Sequence, residues 1–237
     1  MQKTFIRFSA TLMVATFLFS CQKEMSKSAK SDVSTATSSS NTVTIGSTCG
    51  QLRTYTQGGW GASPAGNNPG TYLHANFQGA FGDTLTVGCY PGKYYVKLTS
   101  AQAVTDLLPT GGPAAALTAV YTDPASIKNV LVGQLVALKL SVGFDYADAN
   151  FGQSNVALGG MIIASGTFKG NTVADFLAIG EEVLGGCSKD FTPAQINETA
   201  TAINENFDNG STDKGFLTCP TGGGNPGGGG GNPQLAL

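Results

Sequence analysis

Residues 121–148 read YTDPASIKNVLVGQLVALKLSVGFDYAD, and this stretch decides the fold. Asp123 is placed to accept from the first free backbone N–H groups of a helix, and Pro124 stands where a missing N–H costs nothing. The reading is therefore a helix over residues 124–144. Ile127, Val130, Leu131, Leu135, Leu138 and Val142 recur at helical spacing on one face. Val136 and Leu140 lie off that face and are apolar as well, and between Pro124 and Gly143 only Lys128 and Lys139 carry charge. A helix apolar nearly all round belongs between other elements, as the central post of one domain.

Upstream, the clearest signal is for strands. Leu85, Val87 and Cys89 alternate with Thr84, Thr86 and Gly88, and Tyr94, Val96 and Leu98 alternate with Tyr95, Lys97 and Thr99. Tyr90-Pro91-Gly92-Lys93 between them has the Pro-Gly order of a tight turn, so residues 84–99 form a β-hairpin. Ser100 then caps a short helix over 101–108 that buries Val104, Leu107 and Leu108; Pro109, Gly111 and Gly112 end it. Residues 114–120 add one or two further turns.

Residues 54–73 (TYTQGGWGASPAGNNPGTYL) hold five glycines and two prolines and read as a succession of turns. Trp60, the only tryptophan, sits in their middle. Two roles are open to it: a platform offered to a sugar face, or a plug set into the core. No G-x-G-x-x-G phosphate cradle runs through these glycines, because Pro64 takes the third position. Residues 72–81 are short and aromatic and contain His74, the only histidine. Without a second histidine, neither a catalytic triad nor a zinc site is supported.

Downstream of the post, Asp145, Asp148 and Asn150 lack the closing carboxylate and glycine turn of a calcium loop, and read as a polar helix end. Residues 161–164 (MIIA) suggest a short strand that Thr167 and Phe168 continue. Asn171 or Thr172 caps another helix, with Val173, Phe176, Leu177, Val183 and Leu184 inward, stopped by Gly185-Gly186. Glu181 and Glu182 are adjacent and project in different directions, so they form no facing acid/base pair. Thr192, Pro193 and Gln195 open a last helix with a capping box, and Ile196, Ala200, Ile203 and Phe207 make its buried stripe. Gly210 is expected as its C-cap rather than as part of an EF-hand loop.

Both ends look non-globular. Lys3 and Arg7 precede an apolar run over residues 8–20 that is too short to span a bilayer. The run ends in Leu18-Phe19-Ser20-Cys21, which resembles the bacterial lipobox. That resemblance implies cleavage of residues 1–20, a lipid on the Cys21 thiol and acylation of the new amine. The following Gln22-Lys23-Glu24 resembles the signal that sends Bacteroidota lipoproteins to the outer face of the outer membrane. Residues 21–44 are Ser/Thr/Lys-rich and read as a disordered tether, and residues 220–237 as a Gly-rich tail.

Setting Cys21 aside leaves Cys49, Cys89, Cys187 and Cys219, an even set that in an exported chain favours disulfides in one of three connectivities. Cys187–Cys219 and Cys49–Cys89 are the pairs expected, each worth roughly 3–4 kcal/mol by chain entropy. No CxxC pair exists, and neither a metal nor an organic cofactor is expected. Charged residues are 12% of the chain and the net charge is −2, which provides no basic field for nucleic acid.

Tyr55-Thr56-Gln57-Gly58-Gly59-Trp60-Gly61, Asn68-Pro69-Gly70, Leu107-Leu108-Pro109 with Gly111-Gly112-Pro113, and Gly133-Gln134-Leu135-Val136-Ala137-Leu138 together resemble a recurrent domain of bacterial extracellular proteins, many from Bacteroidota. The resemblance spans residues 49–210 and implies an exported domain with no assigned activity. Asp83-Thr84-Leu85 also resembles the three-residue site that these bacteria O-glycosylate.

The sequence thus predicts one α+β domain over residues 45–219. About four helices surround the 124–144 helix, beside a hairpin and short extra strands. No convergent titratable set is evident. The function expected is that of a cell-surface lipoprotein of the outer membrane, held to the bilayer by acylated Cys21. Its role would be structural, adhesive or carbohydrate-contacting, toward an extracellular glycan or a surface protein. The alternative is a lipid-anchored polysaccharide hydrolase using carboxylates such as Asp145 or Glu181, with Trp60 as sugar platform; a periplasm-facing assembly subunit is a third reading.

Overall fold

A computed structural model describes residues 49–220. The leader, Cys21, the tether and residues 221–237 lie outside the described residues. Residues 49–220 form an α+β domain whose described helices are α1 (Gln57–Trp60), α2 (Pro69–Phe81), α3 (Ala101–Leu107), α4 (Val130–Ala147), α5 (Ala149–Gly152), α6 (Val173–Gly185) and α7 (Pro193–Asn206). Short strands β1 (Leu85–Gly88), β2 (Tyr95–Leu98) and β3 (Tyr121–Thr122) make one sheet, and β4 (Ile162–Ile163) with β5 (Leu217–Thr218) another.

The expected post is α4. Every residue from Leu131 to Phe144 is buried, so its length and hydropathy serve a core rather than a bilayer. Helices α7, α6, α2 and α1 pack around it. Two glycines permit this. A Cβ on Gly143 would run into the Phe81 ring of α2, and one on Gly180 would meet Leu135 of α4 and Ile196 of α7.

The helix starts later than expected. Asp123 has φ 46° and turns its carboxylate back to the Thr99 N–H (2.7 Å) and hydroxyl (2.6 Å), while Tyr121 pairs in parallel with Val96. The N-cap is Asn129, whose Oδ1 accepts from Leu131 N–H and from Ala115 N–H and whose Nδ2 donates to Ala115 O. Those bonds tie residue 115 to the start of α4, and Leu117 N–H donates to Leu184 O (2.7 Å); residues 114–120 are irregular, and the further helical turns expected there do not form.

The hairpin forms as expected, with Leu85 opposite Leu98 and Val87 opposite Val96, all four buried. The run of turns does not. Thr56 caps α1, and Asn68 caps α2 with Pro69 in its first turn, so Leu73, Phe77 and Phe81 bury one stripe at i, i+4, i+8. Thr172 caps α6 and Gly186, left-handed at φ 73°, ends it. The Thr192/Gln195 capping box opens α7. Its C-cap is Phe207 rather than Gly210. Asn206 fixes the following loop, accepting from Phe216 N–H (2.7 Å) and donating to Asp213 Oδ1 (3.1 Å). Beyond β4, residues 167–168 do not extend the strand; Phe168 instead packs on Phe176 and Phe191.

The disulfides pair differently from expectation: Cys49 with Cys219, and Cys89 with Cys187, at sequence separations of 170 and 98. The first joins the two ends of the described domain, which the Gly50–Ser154 bridge and the β4–β5 pair also draw together. The second ties the hairpin to the end of α6. Both enclose far longer loops than nearest-neighbour pairing assumes, because topology decides which thiols meet.

In the aromatic part of the core Trp60 Nε1 donates to Ser141 Oγ (3.2 Å), with Tyr55 N–H also reaching that hydroxyl (3.4 Å). Ser141→Ala leaves the indole N–H buried without an acceptor. The expected loss is about 1–3 kcal/mol, read from the midpoint of urea unfolding at unchanged m; an unaltered midpoint would mean the hydroxyl contributes nothing.

Candidate functional site

Trp60 is wholly buried, which corrects the surface-platform reading. Its ring lies 4.9 Å from Tyr55 edge-on, 5.2 Å from Phe144 and 6.1 Å from Phe151 in a stacked arrangement. Tyr72 joins the same cluster, and the Arg53 guanidinium lies 5.9 Å over the Phe151 ring. Such a cluster adds to burial through edge-to-face and offset contacts of about 0.5–1.5 kcal/mol each. It is core.

His74 lies on α2, half-buried, with Nε2 2.9 Å from Thr105 Oγ1, and so links α2 to α3.

The acidic residues at the end of α4 come together as a polar helix end. Asp148 caps both α4 and α5, accepting from the Asn150 N–H (2.8 Å) and from the Tyr72 hydroxyl (2.7 Å). The Tyr72 bond, then the Asn150 N–H, hold its carboxyl below the usual range, while burial and the same bond push the Tyr72 phenol upward. One turn earlier, Asp145 Oδ2 accepts from the Leu158 N–H (2.6 Å), and burial raises its carboxyl despite that bond. Two neighbouring carboxyls shifted in opposite directions make the nearest thing here to an acid/base set. Each is already bound to the fold, and Asp145 Oδ1 lies against Gly152, where a Cβ would touch it.

Glu181 is also engaged. Lys139 Nζ of α4 reaches its Oε1 at 2.7 Å, with the two side chains 5% and 18% exposed. Burial pushes the Glu181 carboxyl up, and Lys139 together with the Gly88 N–H pulls it back. A pair like this adds little net stability, yet losing one partner strands a buried charge at about 3–5 kcal/mol. Glu182 beside it is exposed.

Two surface clefts, of about 180 and 440 Å³, lie elsewhere. Gln51, Phe207, Gly210 and Thr212 line the first; Leu107, Pro109, Ile127 and Lys128 line the second. Neither contains Trp60, Asp145, Asp148 or Glu181. Among the described residues, no three His, Cys, Asp or Glu side chains gather to hold a metal ion.

Several polar contacts escaped the sequence: Ser141 under Trp60, Gln134 with Asn204, and Thr110 with Gln57 and the Asn129 carbonyl. The signal for the first two was available, since a polar residue inside an all-apolar helix needs a partner. No family model, curated protein or solved structure matches the chain.

The burial of Asp145 has a consequence for stability against pH. Its folded pKa lies above the unfolded value of 3.8, so the folded state holds the proton more tightly. The stabilisation this gives is full below the unfolded value and is lost as pH rises through the folded value. Asp145→Asn keeps an acceptor for Leu158 N–H and removes the buried charge. It is expected to match or exceed the parent at pH 7 in thermal unfolding and to flatten the acid-side change; a marked loss at pH 7 would mean the ionised carboxylate is needed.

Proposed function

We propose that this chain is a lipid-anchored surface lipoprotein of the outer membrane whose domain has a non-enzymatic role: structural, adhesive or carbohydrate-contacting. The observation that carries the reading is Cys21, standing directly after Leu18-Phe19-Ser20 at the end of an apolar leader and before Gln22-Lys23-Glu24. Several acyl chains on one residue hold a protein firmly, because each buried methylene contributes about 0.8 kcal/mol. The two disulfides suit an oxidising compartment. The non-enzymatic part is supported by the engagement of Asp145, Asp148 and Glu181 in bonds that hold helices together. The hydrolase alternative would draw on Asp145 or Glu181, each held in such a bond, and with Trp60 buried it loses its sugar platform.

Labelled palmitate is expected to enter the wild-type chain and to be absent from Cys21→Ala, while external protease on whole cells removes the wild-type domain. Label retained in Cys21→Ala, or a domain shielded until cells are lysed, overturns anchor or display respectively.

A further inference from the structure

The tip of the β1–β2 hairpin carries an aromatic pair that the core does not use. Tyr90 is 50% exposed, and its ring meets Tyr95 edge-on at 4.9 Å. Gly88, opposite Tyr95 in the ladder, puts no side chain across from it. The tip is held firmly from below. Cys89 is bonded to Cys187, Cys89 N–H donates to Tyr94 O (2.9 Å), Lys93 N–H to Cys89 O (2.7 Å) and Lys93 Nζ to Gly186 O (2.7 Å). Gly185 lies so close beneath that a Cβ there would strike Cys89 and the Tyr94 carbonyl. Tyrosines fixed in this way lose little entropy on binding, which favours contact surfaces.

Lys97 stands two residues along β2 from Tyr95 and so on the same face. Its neighbours across the ladder are Thr86 of β1 and Thr122 of β3, both uncharged. The ion pairs among the described residues are Lys139–Glu181 and Lys214–Glu205, so the Lys97 ammonium meets no carboxylate. The nearest acid along the chain beyond Thr122, Asp123, is bound to Thr99.

We propose that Tyr90, Tyr95 and Lys97 form a contact site for an acidic polysaccharide, the half-exposed Tyr90 ring taking the C–H face of one sugar, Tyr95 bracing that ring edge-on, and Lys97 taking a carboxylate or sulfate. The site rests on the carbohydrate-contacting reading above. Its small area suits a single sugar unit better than a protein face. A tyrosine offers about 150–250 Å² in all, and only part of each ring is free, against roughly 800 Å² per side in a standard protein interface. The Lys97 ammonium, on the same strand face as Tyr95 and without a carboxylate partner, favours an anionic sugar over a neutral one.

The test uses the full chain purified in detergent, with polygalacturonate, alginate and heparin as acidic probes and dextran as the neutral one. Wild type binds at least one acidic polymer more tightly than dextran, and added salt weakens that binding. Tyr90→Ser, Tyr95→Ser and Lys97→Gln each weaken it about fivefold, near the upper end for one exposed contact, with thermal unfolding unchanged. Tyr90, being half exposed, keeps the test valid should Tyr95→Ser fold poorly. Failure to bind any acidic polymer, or equal binding by the folded variants, overturns the site. Dextran binding that the variants leave intact overturns it too, but leaves a carbohydrate role standing elsewhere on the domain.

Discussion

A helix buried along fourteen consecutive residues must find a partner for each polar group it carries, and that requirement organises this domain. Gln134 receives Asn204 of α7, whose Nδ2 donates to both its backbone and side-chain oxygens at 2.9 Å. Lys139 is met by Glu181 of α6. Ser141 accepts from Trp60 of α1, and the Gly133 N–H donates to Thr110 beyond α3. Hydrophobic burial holds these elements against α4, but it is non-directional. The polar pairs set which residue of each neighbour faces which residue of the post, because a slipped arrangement would leave a donor or a charge unmatched in the core.

The same logic explains why so little of the interior is available for chemistry. Groups that suggest a catalytic set by type are consumed in joining segments distant in sequence: Asp145 holds Leu158, Asp148 holds Tyr72, and Glu181 holds Lys139. Two long-range disulfides then brace the periphery, one across the ends of the described domain and one under the hairpin. The Tyr90–Tyr95 pair lies directly over the second of these bridges.

Much of the fold was legible in the sequence, and the errors share one cause. The burial of α4, the hairpin, the Ser100 cap and the Thr192/Gln195 box are local signals, and each formed where it was read. Asp123-Pro124 was an equally good local start, yet Thr99, twenty-four residues away, captures the Asp123 carboxylate and Asn129 takes over as cap. The disulfide partners were invisible for the same reason, since they depend on which strands and helices lie side by side. One miss was avoidable. The Asn68-Pro69 start and the Leu73, Phe77, Phe81 stripe of α2 are present in the sequence, where the surrounding glycines and prolines mask the periodicity. Trp60 could not be assigned from sequence, because exposure and burial both suit a lone tryptophan among glycines; only the Ser141 hydroxyl beneath it decides the matter.

If α4 is the post on which the other elements depend, its amides should be released to solvent only when the whole domain unfolds. Native-state hydrogen exchange on the full chain across increasing denaturant measures this directly. The amides of residues 134–144 are expected to exchange with the full free energy and denaturant dependence of global unfolding, while those near residues 208–215 open at lower energies. Exchange of the α4 amides through a smaller opening, with α6 and α7 still protected, would contradict the account.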